Sequence, residues 1–205
     1  MTVHERPGLR PTYPVTTPRL RLRPLTADDI DALLVYRGRE DVVRYVPFEP
    51  MAREAIADRV ANQWVSELAE EGQVMILGVE LKESGALIGD VMLRWVSREH
   101  RCGEIGYVLN PSDSGHGYAT EAAQAVLRLG FEGLGLHRIV AGLDERNDAS
   151  AAVARRLGLR LEARLVESEF FKGEWVSKLN FAMLAAEWSG RAIHQGPTGS
   201  TPLPS

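Results

Sequence analysis

Two glycines one residue apart, Gly115 and Gly117, stand where this chain can do chemistry. Upstream, Cys102–Leu109 is an apolar, strand-like run that ends at Asn110-Pro111. Downstream, Ala119, Ala122, Val126, Leu127, Phe131 and Leu134 recur mostly at three- and four-residue steps, the spacing of an amphipathic helix. A strand, a polar glycine turn and a helix start, in that order, make an anion site. The first turn of a helix leaves about four N–H groups without intrahelical partners and carries the positive end of the macrodipole. Glycine lets the backbone close around a phosphate with no Cβ in the way. The expected ligand is phosphorylated, with its phosphates on the N–H groups of Gly115 to Thr120.

Three kinds of phosphate loop can be compared with this one. A Walker loop needs four residues between its glycines and a Lys-Ser/Thr pair after them, and neither is present. A dinucleotide fingerprint needs a third small residue three positions past Gly117, on the first strand of a βαβ unit; Thr120 stands there, and the strand is mid-chain. The third kind is the pyrophosphate loop of the GNAT superfamily of acyl-CoA N-acyltransferases, usually Arg/Gln-x-x-Gly-x-Gly/Ala. Ser114-Gly115-His116-Gly117-Tyr118-Ala119 resembles it, with Ser114 in place of Arg or Gln. The resemblance continues through His137-Arg138-Ile139-Val140, through Asn147-Asp148-Ala149-Ser150 with Leu157-Gly158, and through Gly173-Glu174-Trp175. Together these span about residues 17–188 and are similar to the branch that acetylates protein N-termini, the ribosomal-protein serine and alanine acetyltransferases.

The resemblance implies acetyl-CoA as acyl donor, no metal, and an acetyl transfer to a primary amine, with a peptide or protein N-terminus as the expected acceptor. It implies that Tyr107, Val108 and Leu109 offer a strand edge to the pantetheine arm and that Asn147 reaches it from the opposite wall. The pyrophosphate falls to Ser114, Gly115, His116, Gly117, Tyr118, Ala119 and Thr120. Because the contacts are mainly to backbone, Ser114 leaves binding possible while removing a charge-assisted contact. A tyrosine acid of other branches falls on Ala154, and a fifth-strand carboxylate falls near Gly142, so both groups are missing. In the ribosomal-protein branch the matching roles fall to Ser150, beside the leaving thiolate, and to Glu169, as acceptor of the amine proton. Plainer readings stand beside these: Ser150 capping its own helix, Glu169 facing water, His116 filling a solvent-facing turn, and Glu104 in a structural or substrate-side role. Two alternatives stay open for the whole protein, a small-molecule acetylase of aminoglycosides or polyamines and a non-catalytic acyl-CoA-binding module.

The elements that must position these groups can be read along the chain. Leu20-Arg21-Leu22-Arg23 alternates as a strand, and Thr26 to Asp29 forms a capping-box pattern before Ile30, Leu33 and Leu34. Ile56, Val60, Trp64 and Leu68 recur every fourth residue and predict a second helix. Strands at 73–81 and 86–96 flank a Glu83-Ser84-Gly85 turn, and 102–109 follows. Strand 138–143, a helix capped by Asn147 and stopped by Gly158, and two strands around Lys172-Gly173 complete the order. The expected fold is mixed α/β (α+β), with a mostly antiparallel seven-stranded sheet. By the resemblance, its fourth and fifth strands splay, and helices cover both faces.

At 205 residues, 44% apolar, the chain suits one domain at 16–188 between Pro/Gly-rich flexible tails at 1–15 and 189–205. A net charge of −4 argues against a nucleic-acid partner. The single cysteine, Cys102, and the lack of any apolar run of roughly 18 residues predict a cytoplasmic protein with no membrane contact, as monomer or homodimer.

Overall fold

Arg21 and Arg23 alternate with the buried Leu20 and Leu22, and their guanidinium groups reach Glu80 on the next strand at 3.0 and 2.7 Å. The same period-two logic runs through the sheet. The structure, a computed structural model, describes residues 8–194. Its strands are β1 (Val15–Thr16), β2 (Leu20–Pro24), β3 (Val74–Leu81), β4 (Leu87–Ser97), β5 (Cys102–Leu109), β6 (Arg138–Asp144), β7 (Arg160–Phe171) and β8 (Glu174–Leu184). The helices are α1 (Ile30–Arg37), α2 (Glu40–Val43), α3 (Arg53–Asp58), α4 (Tyr118–Arg128), α5 (Asp148–Arg156) and α6 (Ala185–His194). All eight strands join one sheet in the order β1-β2-β3-β4-β5-β6-β8-β7, antiparallel except between β5 and β6. The count is eight rather than seven because Val15–Thr16 adds a short edge strand, so the expected fourth and fifth strands are β5 and β6.

Helices cover both faces. Val91, Leu93 and Trp95 of β4 join the large core with Ala122, Ala123, Ala125, Val126 and Leu127 of α4, whose alanines let the helix lie close to the sheet. On the other face Asp90 takes hydrogen bonds from α1, from the Tyr36 hydroxyl (2.7 Å) and twice from Arg37 (2.8 and 2.6 Å). The Arg37 guanidinium also lies over the rings of Phe48 (4.8 Å) and Trp64 (4.7 Å), which close off the buried pair.

Three expectations change. The second helix does not run from Ile56 to Leu68: α3 ends at Asp58, and Arg59–Gln63 is a π turn closed by the Trp64 N–H to the Arg59 carbonyl at 2.8 Å. The wider turn breaks the four-residue period, Trp64 is extended, and Leu68 pairs with Leu9 as an isolated bridge. The described part of the expected N-terminal tail packs: Leu9 is buried and the Tyr13 hydroxyl bonds the Ser66 carbonyl. At the other end α6 carries the backbone to His194, with Trp188 on Phe131 and bonded to Glu132 at 2.7 Å. Residues 1–7 and 195–205, where the rest of both tails was expected, lie outside the described residues. Among those described, no helix is long and apolar enough to cross a membrane.

Asp90→Ala should cost about 3–5 kcal/mol, because it strands a buried guanidinium. The pair Arg37→Met, Asp90→Leu should cost less, since it leaves no charge behind; urea unfolding of both variants checks the order. Acid should act through other carboxylates. Burial pushes the Asp29 and Glu121 carboxyls up, but hydrogen bonds from Arg23 and Thr26 to the first, and from Thr17 and Arg19 to the second, hold both below the usual range. Bonds from Arg23 and Arg21 hold Glu80 low as well. Folded values below unfolded ones mean stability that is complete above about pH 5 and lost as pH falls through about 4 and below. Unfolding free energies measured from pH 7 to 3 should follow that course, and Asp29→Asn should flatten it.

Candidate functional site

The parallel pairing of β5 with β6 covers only Cys102–Arg138, Gly103–Ile139 and Glu104–Val140. Beyond Glu104 the strands separate, each still paired on its other side, β5 to β4 and β6 to β8. The Asn110 N–H bonds the Ile88 carbonyl at 2.8 Å, which sets the alternation along β5. Val108 and Gly106 turn their backbone groups to β4, and Tyr107 and Leu109 turn theirs to the gap. Of the three residues expected to offer a strand edge, Val108 therefore lends its side chain and not its backbone. Beyond the gap stands the first turn of α5. The Asn147 side chain caps it by accepting from the Ser150 N–H at 3.0 Å, and the Tyr107 hydroxyl donates to the Ser150 carbonyl at 2.8 Å. Burial pushes the Tyr107 phenol well above its ordinary range, so it is a neutral tie.

The glycine turn opens onto this gap. Gly115 and Gly117 have φ of 84° and 80°, a region that glycine enters without a Cβ clash, and Gly117 caps α4. Among the described residues, the N–H groups of Gly115 through Thr120 have no hydrogen-bond partner. The Thr120 hydroxyl is buried and equally unpartnered. A groove of about 500 Å³ runs from this turn along Tyr107 and Leu109 to Ser150. Ser114 lines it, as do Asp41, Asp113 and Arg156 of α5, the one cation among its described lining residues. The ring of His116 points elsewhere, stacked on Tyr118 with centroids 5.5 Å apart. The turn is braced from behind by Arg19, which donates to the His116 carbonyl (2.9 Å) and to Glu121 (2.7 Å).

A second cavity, about 280 Å³, lies on the α1 face of the sheet. It shares Tyr45, Val46, Tyr107, Val108, Asn147 and Ser150 with the groove, so the two meet at the splayed strands. Its walls include Phe48, Trp64, Met92 and Phe171. Ser150 stands at the junction, and its hydroxyl has no partner among the described residues. Glu169 lines the second cavity from β7, exposed, with one oxygen bonded to Lys178 at 2.8 Å. Glu104 lines the same cavity where the β5–β6 pairing ends. Gly142 faces it without a side chain, while Ala154 is fully buried and lines neither cavity. No cluster of three or more His, Cys, Asp or Glu able to hold a metal occurs among the described residues.

Sequence reasoning missed Arg59, Tyr45, Arg156 and Lys178. Arg59 reaches the cavity through the π turn, which no four-residue period reveals, and Tyr45 lies in a segment without periodicity. Arg156, in Arg155-Arg156-Leu157-Gly158 at the end of a recognised helix, was legible as a cation near the groove.

A family profile described as an acetyltransferase (GNAT) domain matches residues 19–160. An uncharacterized N-acetyltransferase of Bacillus subtilis, YnaD, is 34% identical over 181 residues, 85% of this chain and 99% of that protein. The spermidine N(1)-acetyltransferase of Escherichia coli is 24% identical over 178 residues, 87% of this chain and 91% of that protein. Among solved structures, a GNAT-family acetyltransferase from Bacillus anthracis superposes with a TM-score of 0.74 at 29% identity, covering 88% of this chain and 99% of its own. RimL, a ribosomal L7/L12 alpha-N-protein acetyltransferase solved with coenzyme A, gives 0.71 at 18% identity, covering 84% and 98%, a likeness of fold alone.

Proposed function

We propose, from the premise that the chain belongs to the GNAT acetyltransferase family and is an acyltransferase, that it moves an acetyl group from acetyl-CoA to the amine of a peptide or protein N-terminus. The observation that carries this reading is the junction at Ser150 of two cavities of unlike character. The groove suits an acidic, amide-bearing donor. Six unpartnered N–H groups and the orphaned Thr120 hydroxyl fit a pyrophosphate, and space is open where a Cβ on Gly115 would stand. Arg156 offers the charge that Ser114 lacks. The free N–H and C=O groups of Tyr107 and Leu109 suit an amide-rich arm laid along the edge.

Acetyl-CoA supplies the activated acyl group; the residues around it position, donate and accept. The Ser150 hydroxyl donates to the leaving sulfur, and Glu169, directly or through water, takes the amine proton. An edge N–H of β5 in the gap is the donor available to a carbonyl oxygen gaining charge. An amine is already a good nucleophile, so holding it at the junction supplies a share of the rate.

The charge pattern favours one amine over a polyamine. Of the four carboxylates on the second cavity, Asp90 is bound by Arg37 (2.6 Å), Asp144 by Arg146 (2.7 Å) and Glu169 by Lys178 (2.8 Å). A polycation needs several uncompensated carboxylates, and only Glu104 lacks a close partner, its nearest cation being Arg94 at 3.9 Å. The polyamine reading keeps the support of the spermidine acetyltransferase among the relatives.

Three measurements test the reading. Thiol release from acetyl-CoA with a panel of peptides, spermidine and aminoglycosides should favour peptides; spermidine turned over best would favour the polyamine reading, and no release with any amine would leave a binding module. Gly115→Glu puts a side chain and a negative charge into the open space at the turn, whereas a side chain on Gly117 would meet Arg19 behind it. The Gly115→Glu change should abolish CoA binding by calorimetry; unchanged affinity in a folded Gly115→Glu variant would overturn the cofactor site. Glu169→Gln should lower kcat by about 10²–10⁴ and move the pH–rate profile upward. Ser150→Ala should lower kcat with less change in the acid limb. Should both keep near-normal turnover while Glu104→Gln loses it, the proton-accepting role belongs to Glu104.

A further inference from the structure

Around the second cavity Asp90, Asp144 and Glu169 are closely matched by Arg37, Arg146 and Lys178. Glu104 is held loosely, by Arg94 at 3.9 Å, which leaves Arg59 as the unmatched cation among the described lining residues. Arg59 lines the cavity, is half-buried, and has no hydrogen bond or ion pair from its side chain among the described residues. Its position comes from the π turn, whose closing bond links the Arg59 carbonyl to the Trp64 N–H five residues on. In an α-helix, residues five apart diverge; the wider turn brings Arg59 and Trp64 to the same cavity wall. A second π turn, Leu129–Gly133, lines neither cavity, so the turn explains where Arg59 stands and the free guanidinium explains what it can do. A guanidinium with no carboxylate partner, beside an apolar wall, keeps its fork of donors available to an anionic ligand.

We infer that the acceptor is bipolar: besides its amine it carries one carboxylate, and Arg59 is the specificity-determining residue that reads it. Glu104 faces the ammonium of the incoming acceptor, and the Arg59 guanidinium, with its fork of donors, takes the anion. Phe48, Trp64 and Met92 line the same cavity and give the acceptor's apolar atoms a surface to lie on. For a peptide acceptor this chemistry is an acidic side chain directly behind the N-terminal residue. A free amino acid offers the same two groups, with the α-carboxylate as the anion.

This inference rests on the acetyl transfer proposed above, so its test separates the two. Acetyl-CoA turnover by the full chain is measured with peptides that share a first residue and differ at the second as Asp, Ala or Lys, with free serine and glutamate, and with spermidine. The expected kcat/KM order is Asp, then Ala, then Lys, with at least about tenfold between Asp and Ala, expressed mainly in KM. Arg59→Gln should bring the Asp/Ala ratio toward one, Arg59→Lys should keep part of it, and Arg59→Glu should reverse the order of Asp and Lys. Free amino acids turned over better than any peptide would keep the bipolar acceptor and move its source to the α-carboxylate. An Asp/Ala ratio near one in the unaltered protein, or a ratio unmoved in a folded Arg59→Glu, overturns the role of Arg59 while leaving acetyl transfer intact. No turnover of any amine overturns the proposed transfer itself.

Discussion

The parallel ladder that joins the two halves of this sheet is only three residue pairs long. A strand edge in a protein interior must bond something, because an unpaired amide out of water costs about as much as a lost hydrogen bond. Here the ladder stops at Glu104 and Val140, and neither strand finds a new partner across the gap. The backbone groups of Tyr107 and Leu109 are left for water or for a ligand with amides of its own. The rest of the site depends on this opening. The Gly115 turn leads into it, α5 borders it, and the second cavity reaches the groove only through it.

What keeps the halves from closing is a set of short polar ties. The Asn147 cap fixes the first turn of α5, and the Tyr107 hydroxyl spans from β5 to the carbonyl of Ser150. That bond orients Ser150 through its backbone and leaves the side-chain hydroxyl unengaged. On the far wall, Lys172 at the tip of the β7–β8 hairpin donates to the Val43 carbonyl at the end of α2, 2.8 Å away. The hairpin carrying Glu169 and Phe171 is thus tied to the segment carrying Tyr45 and Phe48, 129 residues earlier in the chain. Bonds of this kind contribute about 0.5–1.5 kcal/mol each, enough to hold a geometry.

Legibility in the sequence followed the same division. The glycine turn, the strand before it, the α4 helix and the Asn147 cap were readable because each is local: φ > 0 needs glycine, a cap needs a short acceptor, and an amphipathic helix needs its period. Family resemblance supplied the splayed pair, which no local pattern encodes. The second cavity was mostly hidden. Its walls come from α1, the π turn, β4, the loop around Tyr45 and the last hairpin, brought together only by tertiary packing. The four-residue spacing of Ile56, Val60, Trp64 and Leu68 misled, because one wider turn and a bridge to Leu9 outcompeted helix continuation. The Arg37–Asp90 pair was equally invisible, since 53 residues separate its partners.

The two sides also differ in how substitution acts on them. The groove presents the N–H groups of Gly115 to Thr120 whatever side chains those residues carry, so the residue at 114 changes one side chain and not this row of donors. A cation on the neighbouring helix, Arg156, can restore the charge without altering the turn. The second cavity depends on side-chain charges, Arg37 paired with Asp90 in the interior and Lys178 with Glu169 at its exposed rim, with Arg59 left unpaired among the described residues. Changing one member of the buried pair uncovers its partner, and an uncovered buried charge costs more than the pair had contributed. The charge of such a cavity changes by single steps, whereas the row of N–H groups along the groove tolerates drift in its side chains. A scaffold built this way holds one cavity's chemistry fixed in the backbone while the other's is open to single substitutions.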